Sequence, residues 1–268
     1  MDPVFFISIC LALGLFSGFI GGMLGIGGGI IIVPTLYLIY STTNRFDDSN
    51  TLVVAIATSL SCIVFTSASA AFAQYRKKKV LWEIAIKLLP WLLAGSVLAA
   101  YVIPFVPILI LKSGIAFFLM CVALIMISSW QPPAGRVFPG FFGSGLVGTS
   151  AGFVSGSAGI AGGNVIVPTL IFFNIPPHNA TATSSFLGVP IALSGSLGYL
   201  FFSPQVTHPQ LIGYVDTMAF ISIISGSIIA APIGVKIAHN ISPPLLKKFF
   251  GGILILASTR MLIDAFSF

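Results

Sequence analysis

Apolar residues in this chain run in long blocks separated by short polar breaks. Blocks cover residues 4–24, 28–40, 51–73, 81–102 and 108–130, and a second series covers 138–158, 164–173, 180–202, 211–235 and 245–266. Most reach the roughly 20 residues with which a helix spans the hydrocarbon of a bilayer. The second block of each series is too short to cross comfortably. Between the two series lies the Pro- and Gly-rich stretch QPPAGR, read as a linker. The expected organisation is therefore a first transmembrane repeat over 1–130, a linker at 131–137 and a second transmembrane repeat over 138–268.

The two halves are related in sequence as well as in hydropathy. Residues 17–36 align without gaps to 151–170, with 12 of 20 positions identical at a constant offset of 134. Both carry Val-Pro-Thr-Leu in register, as Val33 to Leu36 and Val167 to Leu170. A fainter echo pairs Ala57, Thr58 and Ser59 with Ala182, Thr183 and Ser184, and Gly95 and Ser96 with Gly226 and Ser227. Self-similarity at this period marks an internal duplication.

Composition narrows the class further. Hydrophobic side chains make up 57% of the 268 residues and charged ones 7%, against about 25% charged in a soluble domain. Mean hydropathy is +1.08. The lipid bilayer is thus the first partner, and a soluble, disordered or disulfide-scaffold protein is excluded. The excess of basic residues, 12 against 6 acidic, is scattered between apolar blocks and forms no nucleic-acid-binding face. Asp2 is the sole charge before residue 45, so a cleaved signal peptide, which needs a cationic start, is not expected.

Loop charge sets the expected orientation. Arg76, Lys77, Lys78 and Lys79 follow the third block, whereas the corresponding loop of the second half, 203–210, has no Lys or Arg. Lys236, Lys247 and Lys248 flank the loop after the ninth block, whose counterpart, 103–107, is uncharged. If each half crosses an odd number of times, these cations and Arg136 fall on one side, which is then the cytoplasm. The expected fold is an all-α integral membrane protein with two inverted-topology repeats of about five membrane-entering helices each. Both termini lie outside. The first two segments of each repeat either cross twice or form a re-entrant pair, and both choices keep the count odd.

Candidate chemistry sits where the first and second blocks of each half meet. Gly25, Gly27, Gly28 and Gly29 in one half, and Gly159, Gly162 and Gly163 in the other, should break the helix, since each Gly costs a helix interior about 1 kcal/mol. Irregular backbone at membrane depth is tolerated only where it is buried in protein or lines a cavity. Pro34 and Pro168 are expected in the first turn of the short helices that follow, with Asn164 as N-cap of the second. Free N–H groups and the positive helix ends would then bind an anion without a cationic side chain. Gly14, Gly18 and Gly22, with Gly148, Gly152 and Gly156, are spaced instead for close helix packing.

Thr58 and Ser59, with Thr183 and Ser184, could donate hydroxyls to an anion or bond their own helix backbone. Cys62 shares their face and reads as a small buried hydrophobe. Glu83 and Asp216 open the fourth segment of each half, where a carboxylate suits a helix N-terminus; a proton is the candidate coupling ion. Arg260 and Asp264 are spaced for an i,i+4 pair. His178, His208 and His239 have no ligand-like spacing, so no metal is expected. No nucleotide-binding loop is present and no cofactor is expected.

The duplicated GIGGGIIIVPTL and GIAGGNVIVPTL, each followed by an ATS tripeptide, resemble the sulfite exporter TauE/SafE family of membrane permeases over nearly the whole chain. The resemblance implies export of sulfite or a small organosulfonate across the bacterial cytoplasmic membrane. The matching positions run from Gly25 to Gly29 with Pro34, and from Gly159 to Gly163 with Asn164 and Pro168. Ala161 in place of Gly27, and Asn164 in place of Ile30, make the two halves unequal. The expected function is secondary transport of a small inorganic or organosulfonate anion by alternating access, one repeat rocking against the other. An anion channel of the same architecture is the nearest alternative.

Overall fold

A computed structural model describes residues 2–25, 27–75, 79–128, 138–202 and 209–238, with isolated positions between 245 and 263. The linker with Arg136, the cations Arg76, Lys77, Lys78 and Lys247, the histidines His208 and His239, and the pair Arg260 and Asp264 lie outside the described residues.

The described helices are α1 (Pro3–Leu24), α2 (Gly29–Thr43), α3 (Asp48–Tyr75), α4 (Trp82–Val102), α5 (Ile108–Ile127), α6 (Phe141–Ala158), α7 (Gly163–Phe172), α8 (Pro177–Phe201) and α9 (Thr217–Ala238). Six of the segments are long and apolar enough to cross a membrane. The chain is an all-α membrane protein, and its surface agrees. Phe72, Phe117, Phe142 and Leu146 are at least 68% exposed, while Ser17, Thr58, Ser59, Thr66, Thr183 and Ser184 are completely enclosed. Such a distribution suits a solvent of lipid tails, where polar groups must find their partners inside the protein.

The sequence places two features differently. The ninth apolar block splits: Leu211–Ile212 (β1) and Val215–Asp216 (β2) form a small antiparallel hairpin, and the helix starts only at Thr217. Gly213, at φ 59°, supplies the positive φ that a two-residue hairpin turn needs at its first position. The short helices also start earlier than expected. Gly29 and Gly163 are already helical, so Pro34 and Pro168 fall at the sixth position of α2 and α7, in the second turn. There each proline removes the N–H that would have met the carbonyl of Ile30 or Asn164.

Close contacts fix the direction of each helix. Gly14 meets Ile223, Gly18 meets Ser227 and Gly22 meets Ala231, so α1 and α9 run the same way. Hydrogen bonds from Asp216 to Thr58 and from Thr66 to Ser227 place α3 parallel to α9. Gly148 packs on Leu88 and Trp91, and Gly156 on Ser96 and Ala99, so α4 and α6 are parallel. Leu81 bonds Thr183 and Ser96 bonds Ile191, which adds α8 to that group. Across the groups the order reverses: Ser61 pairs with Ser196, while Ser67 lies beside Gly188. Thus α1, α3 and α9 run one way and α4, α6 and α8 the other. The most extensive helix contacts are α1 with α9 and α4 with α6.

Candidate anion site at the paired helix breaks

Each glycine motif breaks its helix. In the first, Gly25, Gly27 and Gly28 have φ of 71°, 70° and 79°, a region that glycine enters without steric cost. The carbonyl of Gly28 then accepts the N–H groups of Ile31 and Ile32, and α2 begins. In the second, Gly159 and Gly162 have φ of 67° and 70°, and Gly162 accepts from Val165 and Ile166 at 2.9 and 2.7 Å. Ala161, equivalent to Gly27, is not among the positive-φ residues, so the two breaks differ in backbone path.

The breaks touch. A Cβ placed on Gly27 would stand 2.5 Å from the Cβ of Ala161 and 2.6 Å from Ser67 Oγ. A Cβ on Gly29 would run into the Gly159 carbonyl oxygen, and one on Gly159 would stand 3.0 Å from Ile56 Cα. Gly27 and Ala161 are equivalent positions of the duplication, so their contact marks where the two copies face one another.

The ATS residues hold these breaks across the copies. Ser59 Oγ donates to the Gly159 carbonyl at 2.8 Å, and Ser184 Oγ to the Gly25 carbonyl at 3.4 Å. Thr58 Oγ1 accepts the N–H of Asp216 at 2.9 Å, and Thr183 Oγ1 that of Leu81 at 3.0 Å. The four bonds come as two equivalent pairs, each running from the third helix of one copy to the other copy. Cys62 is buried, with Sγ 3.9 Å from the Phe220 carbonyl.

Asn164 is not the N-cap. Gly162 occupies that position and turns the chain, so Asn164 sits inside the first turn of α7 with its side chain 1% exposed. Both of its amide atoms, and the hydroxyl of Ser67, are buried without a hydrogen-bond partner. Ser67 carries no motif, and only its position beside Gly27 brings it out.

Among the described residues, no Lys or Arg lies on the helices that carry the breaks. None of α1, α2, α3, α6, α7 and α8 contains Lys or Arg. Glu83 and Lys87 pair at 2.7 Å on the exposed face of α4. Asp216 does cap its helix, with Oδ1 accepting from Met218 and Ala219. Its Oδ2 also takes a 3.1 Å bond from Arg45 Nε, a pair that sequence spacing could not reveal because 171 residues separate the partners. Arg45 further bonds Gln210 Oε1 at 2.6 Å and lies 4.1 Å over the Phe6 ring. A small cavity lined by Leu88, Leu92, Val147, Ala151, Ile166, Thr169 and Leu170 offers an anion little, since the one hydroxyl there, on Thr169, already bonds the Val165 carbonyl.

Two broken helices meeting inside a bundle of membrane-spanning ones define a multi-pass membrane protein of the transporter kind. The comparisons agree: a family model described as sulfite exporter TauE/SafE matches residues 10–261, and the chain belongs to that family. A probable membrane transporter protein of Bacillus subtilis, YunE, is 25% identical over 276 residues, covering 96% of this chain and 97% of the relative. One from Haemophilus influenzae is 27% identical over 263 residues, covering 96% and 98%. One from Methanocaldococcus jannaschii is 28% identical over 267 residues, covering 95% of each. No solved structure matches.

Proposed function

We propose that this protein is a secondary transporter that moves a small sulfur oxyanion, sulfite or a small organosulfonate, out across the cytoplasmic membrane by alternating access. The observation that carries the reading is the meeting of the two helix breaks, one from each copy, among helices α1, α2, α3, α6, α7 and α8, which carry no Lys or Arg. The anion would be held between Gly25, Gly27, Gly28 and Gly29 on one side and Gly159, Gly162, Gly163 and Asn164 on the other; the N–H groups of Gly25, Gly159 and Gly162 already meet the carbonyls of Gly21, Ser155 and Ile160, which leaves the donating to those nearer the helix starts. The N–H groups that precede Ile31 in α2 and Val165 in α7, where bonding back to the capping carbonyls begins, have no partner within their helix and carry its positive end. Thr58, Ser59, Thr183 and Ser184 enter this reading chiefly through the breaks they hold in place.

Helix directions support an inverted repeat. Corresponding helices of the two copies, α1 and α6, α3 and α8, α4 and α9, run in opposite senses. The parallel course of α3 and α9 also brings Lys79 and Lys236, each just past or at a C-terminal end, to one face, as a single cytoplasmic side requires. In this reading both termini are outside, and a proton gradient is the candidate energy source. Because α1 packs on α9 and α4 on α6, the bodies that rock are these cross-copy pairs and not the sequence repeats themselves.

The test is flux in reconstituted vesicles loaded with sulfite, sulfate or a small organosulfonate, with and without a proton gradient. Saturable sulfite or sulfonate movement with counterflow is expected. Movement that never saturates would mean a channel, and none with any of these anions would remove the reading.

A further inference from the structure

We infer that Ser67 and Asn164 are the polar side chains that recognise the transported ion, and that the ion bound is a singly charged oxyanion still carrying one hydroxyl. The inference rests on the reading of the helix breaks given above and adds to it the side chains and the charge state.

Burying a polar group without a partner costs free energy, so a folded protein keeps few of them. Ser67 and Asn164 are each 1% exposed, and neither side chain finds a hydrogen bond. The duplication supplies an internal control. The residue equivalent to Asn164 at the offset of 134 is Ile30, 1% exposed, and the residue equivalent to Ser67 in the ATS register is Ala192, 0% exposed. In the other copy, the fold accommodates an apolar side chain at each equivalent place. Polarity there serves something other than packing.

Their location says what. Ser67 Oγ lies beside Gly27 and Gly188, where the two breaks touch, since a Cβ on Gly188 would stand 3.1 Å both from Ser67 Oγ and from the Ala161 carbonyl. Asn164 is in the first turn of α7, three residues beyond Ala161. Two helix N-termini, α2 and α7, begin within two residues of the same contact. Each contributes roughly half an elementary charge, about one in all, and no Lys or Arg lies on these helices. That balances a monoanion and leaves a dianion undercompensated. Asn164 presents an acceptor as well as donors. An ion with only lone pairs would leave its Oδ1 unmet, whereas one bearing a hydroxyl would satisfy it.

The test is thermal stability of the purified full chain in detergent, without anion and with sulfite, sulfate or methanesulfonate, across a pH range in which sulfite gains its proton. Ser67→Ala and Asn164→Ile copy the equivalent residues of the other half. Expected results are a raised Tm for each variant without anion, by roughly 2–4 °C, and an apparent sulfite affinity weakened about tenfold. Sulfite should protect the natural protein more as pH falls, and more than sulfate does. Methanesulfonate, which lacks the hydroxyl, should fall between them. If the natural protein is protected but both variants keep the full effect, or lose stability without anion, Ser67 and Asn164 are structural and the inference is overturned while the site reading stands. Sulfate protecting as well as sulfite would overturn the charge assignment. Absence of protection by any of the three would overturn the inference and the site reading together.

Discussion

At the scale of single residues, the clearest energetic statement concerns Arg45. Its side chain is 17% exposed, and that of its partner Asp216 is fully enclosed. Asp216 belongs to the second copy and Arg45 to the corner between α2 and α3 of the first, so the pair ties the copies at one end of the bundle. Removing one member of a buried pair leaves a charge without compensation and typically costs 3–5 kcal/mol. Arg45→Ala should therefore lose about 3–5 kcal/mol in detergent unfolding. The double change Arg45→Met with Asp216→Asn should recover most of that, because an asparagine still caps Met218 and Ala219. Equal losses in the single and double variants would mean that the charge pair is not what the corner contributes.

Elements pack here through glycine. Gly14, Gly18 and Gly22 put the backbone of α1 against that of α9, and Gly148, Gly152 and Gly156 put α6 against α4. A Cβ at Gly18 would stand 2.5 Å from Ser227 Cα, whereas one at Gly114 in α5 would meet nothing within 4 Å. Gly18→Ala should cost about 1–3 kcal/mol by overpacking. Gly114→Ala should be neutral or stabilising by up to about 1 kcal/mol, since alanine is the better helix former. Thermal unfolding of the two variants checks both signs at once. Much of this is legible in the sequence: the spacing of four in both glycine series reads as packing, and the triplet Gly27 to Gly29 and the pair Gly162 and Gly163 read as breaks. The partner helices were not legible, because Gly18 and Ser227 are joined by no local pattern. The start of α2 and α7 differs from the sequence expectation for a related reason. Helix-breaking tendency does not distinguish the glycine that turns the chain, Gly28 or Gly162, from its neighbour that has already entered the helix. The pairing of Ser59 with the Gly159 carbonyl was likewise invisible, although the residues themselves stand out by their repetition.

For the whole molecule, the directions of the helices and the distribution of cations make a joint statement about sidedness. Single cysteines at 79 and 236 in a cysteine-free background should be labelled from one side of the membrane by an impermeant thiol reagent. Cysteines at the exposed positions 47 and 209 should be labelled from the other. Labelling of 79 and 236 from opposite faces would refute the inverted arrangement and with it the paired breaks as an anion site. Block lengths made the long apolar helices readable from sequence, and loop charges supply the orientation proposed for them. What they could not supply is which helices adhere most tightly, and the answer changes what moves.

The α1–α9 contact also bears on how the protein is made. Gly14 and Ile223 are 209 residues apart, and a ribosome adding about 5–20 residues per second needs on the order of 10–40 s to bridge them. Throughout that interval the first helix waits in the membrane with its smooth face uncovered. A chain cut short before residue 217 would leave that face open for good, a ready mark for quality-control proteases.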